Sequence, residues 1–182
     1  LDLCCGTGDM SLRYATLDGS TDIYGMDFSC SMLDVARGRL ARTDLANITF
    51  LEGDAMNVPF EDDSFDAALI SFGLRNVGNY QQVVSEMARV VRPGGKVYCI
   101  DSFQPDNGFV RFFYRLYFAH IMPAFGKVFA KHPDEYAWLN RSTELFLTKK
   151  ELATLFRGCG LEDVSYDTYM FGAAATHRGR VP

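Results

Sequence analysis

The chain has 182 residues, 48% hydrophobic and 23% charged, which describes one globular domain with room for a sizeable core. A net charge of −5 without any dense Lys/Arg cluster excludes a protein that tracks a nucleic-acid phosphate backbone. No apolar run approaches the ~20 residues of a membrane-spanning helix, and the five cysteines, an odd number without C-x-x-C spacing, fit reduced thiols in a cytosol-like compartment.

Strand-like and helix-like segments alternate through the first two-thirds, the pattern of an α/β parallel sheet. Residues 1–4 end a first strand, and upstream sequence is expected because the chain starts without Met inside that strand. A helix follows from Asp9 to Leu17, then a second strand "DIYGMDF" (22–28). Ser29 is placed to cap a helix running to Leu40. "ITFLEGDA" (48–55) is a third strand. "FDAALISF" (65–72) is a fourth, nearly all apolar, as a strand covered on both faces should be. Val83, Val84, Met87, Val90 and Val91 recur at helical spacing over 80–91; "RPGG" (92–95) should stop this helix before a fifth strand, "KVYCIDSF" (96–103).

Residues 103–146 then hold 12 of the chain's 25 aromatic residues (9 Tyr, 15 Phe, 1 Trp). Phe109, Phe112, Phe113, Leu116, Tyr117, His120 and Ile121 fall on one helical face. They suit either a core-facing helix or an apolar lid over a greasy ligand. "TKKELATLFRGCG" (148–160) is a capped helix, and "VSYDTYM" and "GAAATHRG" form a closing pair of strands. Neighbouring side chains on extended backbone point apart, so Cys4 and Cys5 are expected to be small packed residues, not a redox pair.

The chemistry-bearing residues begin at the first turn. A strand carrying Asp2, followed by Gly6-Thr7-Gly8 and a helix start, lets backbone approach a ligand where a Cβ would clash. Asp27 ends the next strand, 21 residues after Gly6, where a carboxylate can accept hydrogen bonds from ribose hydroxyls. Dinucleotide enzymes and nucleoside-binding methyltransferases both fit to this point. Asp54-Ala55 at the third strand end, with a carboxylate for an adenine amino group, followed by "PFEDDSFD" and "RPGG", favours the second.

This order of motifs resembles the class I S-adenosylmethionine-dependent methyltransferases. More narrowly, "LDLCCGTGD", "GMDFSCSML", "GDAMNVPFEDDSFDAALISFGLRNV", "MARVVRPGGKVYCID" and "FGAAATHRG" resemble the quinone-biosynthesis C-methyltransferases. The resemblance implies a Rossmann-like α/β domain. Its mainly parallel seven-stranded sheet would carry helices on both faces and an antiparallel C-terminal strand. It further implies a single domain over 1–182, lacking the family's N-terminal segment, with 104–147 as a substrate-covering insertion. S-adenosylmethionine would be the cofactor, held by Thr7, Asp27, Asp54, Ala55 and Ser71, with Asp2, Gly6, Gly8 and Phe28 completing the site. The acceptor would be a polyprenyl benzoquinol or a demethylmenaquinol. A homodimer or an assembly with other quinone enzymes is expected. So is peripheral contact with a quinone-bearing membrane, on the cytoplasmic face in a bacterium or the matrix face in a mitochondrion. The family's fifth strand ends Glu-Phe-Ser, whereas this chain reads Asp101-Ser102-Phe103.

Methylating a ring carbon requires ionisation of a neighbouring phenol. Arg75 in "SFGLRNV" is therefore assigned to the phenolate, because guanidinium is a poor base, and Asn76 to an ordered water. His177 and His120 are candidate bases. The competing readings are a methyltransferase for a sterol or phenolic acceptor, a nicotinamide oxidoreductase, and a non-catalytic scaffold. Ser11 stands where a dinucleotide fingerprint wants its third Gly or Ala.

Overall fold

The computed structural model describes residues 1–116, 141–143 and 145–182. Seven strands form one sheet in the order β3-β2-β1-β4-β5-β7-β6: β1 (Asp2–Leu3), β2 (Ile23–Asp27), β3 (Ile48–Glu52), β4 (Phe65–Ser71), β5 (Val91–Ser102), β6 (Glu162–Tyr169) and β7 (Ala174–Arg180). Strands β1 to β5 pair in parallel, and β7 lies antiparallel between β5 and β6. The expected sheet is thus present with its one reversed strand.

The chain winds outward from β1 through α1 (Asp9–Leu17), β2 and α2 (Cys30–Leu40) to β3. It then returns to place β4 on the other side of β1. That reversal opens a crevice beyond the carboxyl ends of β1 and β4, where ligands of open α/β sheets bind. Helix α3 (Tyr80–Val90) buries Val83, Val84, Met87 and Val90, the stripe read from its spacing. Asn79 caps it by accepting from the Gln82 N–H. Helix α5 (Lys149–Gly158), counted after α4 (Gly108–Leu116), carries a full capping box between Thr148 and Glu151.

The main core lies between the sheet and α3 and α5, around Leu3, Ile70, Met87, Val97 and Phe156. A smaller cluster of Ala15, Ile23, Leu33, Ala36, Ile48 and Phe50 sits with α1 and α2. Cys4 packs against the first cluster and Cys5 against the second, and both are free thiols, as the alternation predicts.

Two local expectations change. Pro93, Gly94 and Gly95 lie inside β5, whose register against β4 jumps from Phe65↔Val91 to Ala67↔Lys96; the extra residues bulge out between two paired stretches. Ser29 precedes α2 in extended conformation but makes no side-chain cap; its hydroxyl meets that of Ser31. In α4, Phe109, Phe112 and Leu116 are exposed. Tyr117, His120 and Ile121 of the stripe lie outside the described residues.

Candidate functional site

A cleft of about 600 Å³ opens at the crevice. Its walls come from four loops at the carboxyl ends of the strands: Cys4 and Gly6 after β1, Asp27 to Ser29 after β2, Gly53 to Met56 after β3, and Phe72 to Gly78 after β4. The volume lies within the ~300–1,000 Å³ usual for ligand sites.

Asp27 organises the first two walls. Its Oδ2 accepts from the Gly6 N–H at 2.8 Å and its Oδ1 from the Ser29 N–H at 2.9 Å. Gly6 has φ +55°, and a Cβ there would meet no protein atom within 4 Å, so the turn leaves room for a ligand against bare backbone. On the third wall, Asp54 is exposed and its Oδ1 accepts from the Met56 N–H, while Ala55 is buried beside it. The loop behind them is clamped to α3. Arg89 donates to the Val58 and Phe60 carbonyls and pairs with Asp62 and Glu86, and Glu86 accepts from the Val58 N–H.

The fourth wall is strained. Phe72 adopts φ +55°, which a bulky residue avoids. Its N–H donates to the Ile100 carbonyl at 2.7 Å, and its half-exposed ring faces the cleft. Non-glycine left-handed residues are concentrated where function over-determines the backbone. Cys4 is a second case, at φ +53°. Burial, with Asp27, Asp2 and Asp54 adding to it, pushes the Cys4 thiol up to about 12, so it meets the cleft as a neutral, unreactive group.

Of the residues expected to bind cofactor, Gly6, Asp27, Phe28, Asp54 and Ala55 line the cleft, and Asn76 of the expected catalytic set joins them. The others are placed differently. Asp2 points to the α1 face, where its Oδ2 accepts from the Ser11 hydroxyl at 2.6 Å. Burial pushes its carboxyl up to about 6, opposed by the Ser11 hydrogen bond. The Thr7 hydroxyl turns outward to Asp9, and Arg39 of α2 donates to both the Thr7 carbonyl and its hydroxyl. Gly8 does not line the cleft; a Cβ on it would come within 2.6 Å of Phe50 Cζ, so it is needed for helix packing. Ser71 likewise stands outside the lining, which passes to Phe72 and Gly73. Alternation along β4 explains the exchange.

Arg75 also turns away from the cleft. Its Nη1 donates to Asp101 Oδ1 at 2.5 Å, with side-chain exposures of 10% and 0%, and its guanidinium carbon lies 5.8 Å from the Phe72 ring centroid. Burial raises the Asp101 carboxyl and the adjacent Arg75 charge holds it back.

His177, expected as a base, is fully buried in the core and never meets the cleft. Its ring stacks on Tyr166 at 4.8 Å between centroids, and Nε2 pairs with the Lys149 carbonyl at 2.8 Å. Burial lowers its basicity below the free value of 6.5. A histidine harder to protonate folded than unfolded costs stability as pH falls: below about 6.5 the unfolded chain binds the proton first. Denaturant unfolding of the wild type and His177→Gln at about pH 7.5 and about pH 5.5 should show the wild type losing stability relative to the variant on acidification. Parallel losses would contradict this.

The geometry so described matches a nucleoside-containing methyl donor. The sequence profile of the ubiE/COQ5 methyltransferase family matches residues 1–181. The chain belongs to that family. It is 47% identical over 180 residues to the demethylmenaquinone methyltransferase of Geobacillus sp. (strain WCH70), covering 98% of this chain and 77% of that protein. It is 46% identical over 183 residues to the Bacillus mycoides (strain KBAB4) enzyme of the same name, covering 100% of this chain and 77% of that one. Among solved structures, a putative methyltransferase in complex with the Haloferax volcanii Trm112 activator superposes with TM-score 0.73 at 22% identity, covering 100% of this chain and 81% of that one. An Aquifex aeolicus SAM-dependent methyltransferase gives 0.71 at 14%, covering 100% and 80%. At these identities the two structures establish the fold. This protein is an S-adenosylmethionine-dependent C-methyltransferase of the quinone-biosynthesis family named from its motifs.

Proposed function

We propose that this methyltransferase methylates the ring of a demethylmenaquinol, a naphthoquinol. The observation that carries the proposal is the 47% identity to a demethylmenaquinone methyltransferase across 98% of the chain. It favours the naphthoquinol over the benzoquinol, between which the motifs alone do not choose.

When bound, S-adenosylmethionine supplies an electrophilic methyl group on a sulfonium. Asp27 accepts from ribose hydroxyls through the lone pairs left free by its two backbone bonds. Asp54 accepts from the adenine amino group, with Ala55 and Phe28 against the ring. On the acceptor side, Phe72 and Asn76 form the wall, with the Arg75 guanidinium behind it, paired to Asp101 and 5.8 Å from the Phe72 ring centroid. Methyl transfer is an in-line displacement at carbon, so most of the acceleration comes from alignment. Bound there, the donor would supply a methyl group to the ring-carbon electron pair with the C–S pair left on sulfur; the phenolic proton would pass to water before transfer, and the ring proton displaced afterwards would restore the phenol through water.

The test is turnover by the full-length enzyme, offered demethylmenaquinol and its benzoquinol counterpart in separate reactions. The naphthoquinol is expected to have the higher kcat/KM. A folded enzyme that binds S-adenosylhomocysteine yet leaves demethylmenaquinol unmethylated would overturn the assignment.

A further inference from the structure

Asp101 closes the motif "MARVVRPGGKVYCID" but is not among the residues expected to hold the cofactor, and its surroundings give it a task. It is the last acid of β5, one strand beyond β4 at the carboxyl edge, and it is fully buried. Its two oxygens accept from three donors. Oδ1 takes Arg75 Nη1 at 2.5 Å and the Ser102 N–H at 2.7 Å, and Oδ2 takes the Arg75 N–H at 3.3 Å. Asp101 thus grips Arg75 by side chain and main chain together.

Arg75 is the hinge of the fourth wall: Phe72, Gly73, Asn76, Val77 and Gly78 on either side of it all line the cleft. The Asp101 grip therefore anchors that wall from behind. A buried ion pair is a poor way to gain stability, since desolvating two charges offsets most of their attraction. The guanidinium also keeps an unsatisfied group: Arg75 Nε is buried without a hydrogen-bond partner. A buried donor without a partner costs further stability, which makes the arrangement stranger still as a purely structural device. What the pair does hold in place is the backbone on either side of Arg75, which carries the lining residues Phe72, Gly73 and Asn76.

We propose that Asp101 is a positioning residue for methyl transfer, fixing Arg75 behind Phe72 so that the fourth wall of the cleft presents Phe72 and Asn76 to the acceptor in one orientation. The inference rests on the reading that the acceptor is a quinol seated against the fourth wall.

The experiment uses the full-length enzyme and the variants Asp101→Asn, Asp101→Glu and Arg75→Lys. It reads kcat and KM for demethylmenaquinol across pH, S-adenosylhomocysteine affinity by calorimetry, and the Arg75 Nε–H resonance by ¹H–¹⁵N NMR. Asp101→Asn should lower kcat about tenfold to a hundredfold, the scale of a misplaced acceptor, while nucleotide affinity holds. Asp101→Glu should recover much of the rate, and the Nε–H resonance should move or broaden in Asp101→Asn. Wild-type kcat in folded Asp101→Asn, or an unmoved resonance, overturns the proposal. Should Asp101→Asn fail to fold, Arg75→Lys decides: it keeps the charge and loses the fork, so wild-type kcat there overturns it equally. A wild-type enzyme inert toward demethylmenaquinol sinks the acceptor reading, while the resonance still reports on Asp101.

Discussion

Asp27→Ala is expected to weaken S-adenosylhomocysteine binding by about tenfold to a hundredfold, the equivalent of the ~1.5–3 kcal/mol of hydrogen bonds to a charged group. The loss has two parts. The carboxylate that receives the ribose hydroxyls disappears, and the Gly6 and Ser29 N–H groups lose their acceptor, so the turns on both sides loosen. Asp27→Asn should lose less, because its amide keeps one acceptor oxygen in place. Calorimetric titration of both variants measures the effect, and wild-type affinity in Asp27→Ala would remove Asp27 from the binding site.

Gly73→Ala should destabilise the fold by roughly 1–3 kcal/mol, the scale of an overpacked core position. Gly73 has φ −100° and ψ −35°, which any residue adopts, so conformation is not what demands glycine there. Space is: an added Cβ would stand 2.5 Å from Cys4 Cβ and 3.1 Å from its Sγ. A Cβ is fixed by its backbone, and no rotamer change at Cys4 relieves that contact. Cys4→Gly removes the obstruction and also the left-handed strain at φ +53°, of order 1–2 kcal/mol. The double variant should therefore regain stability that Gly73→Ala alone loses. Thermal melts of the two single variants and the double variant close the cycle, and strictly additive effects would show that the two loops do not press on each other.

Those two predictions touch the parts of the molecule that differed most in legibility. Asp27, Asp54 and Gly6 could be read from sequence because each sits where a strand ends, and strand ends are marked by a break in apolar pattern. Helix α3 was legible for the same reason, through its buried valines. What escaped depends on which way a side chain turns. Ser71 stands next to the lining Phe72 without joining it, Asp2 is taken up by Ser11 of α1, and the Thr7 hydroxyl is drawn outward by Asp9 and Arg39. Nothing local signals that Phe72 is left-handed, or that Pro93-Gly94-Gly95 bulges within a strand. Arg75 and Asp101 meet across 26 residues, and Cys4 and Gly73 across more, through a fold that has to be built first. His177 looked reactive only because a sequence does not display the stack of rings that seals it.

The double grip of Asp27 has a consequence for turnover. Its carboxylate is already committed to two backbone amides, and Asp54 to a third, so this half of the cleft is set before any ligand arrives. On the proposed assignment it would meet only adenosine, and the spent nucleoside carries the same adenosine as the fresh one. These residues would then hold both with equal strength, a uniform contribution that deepens saturation without hastening the step itself. Product will compete with donor for as long as it lingers, and the means of telling them apart has to sit at the other end of the cleft.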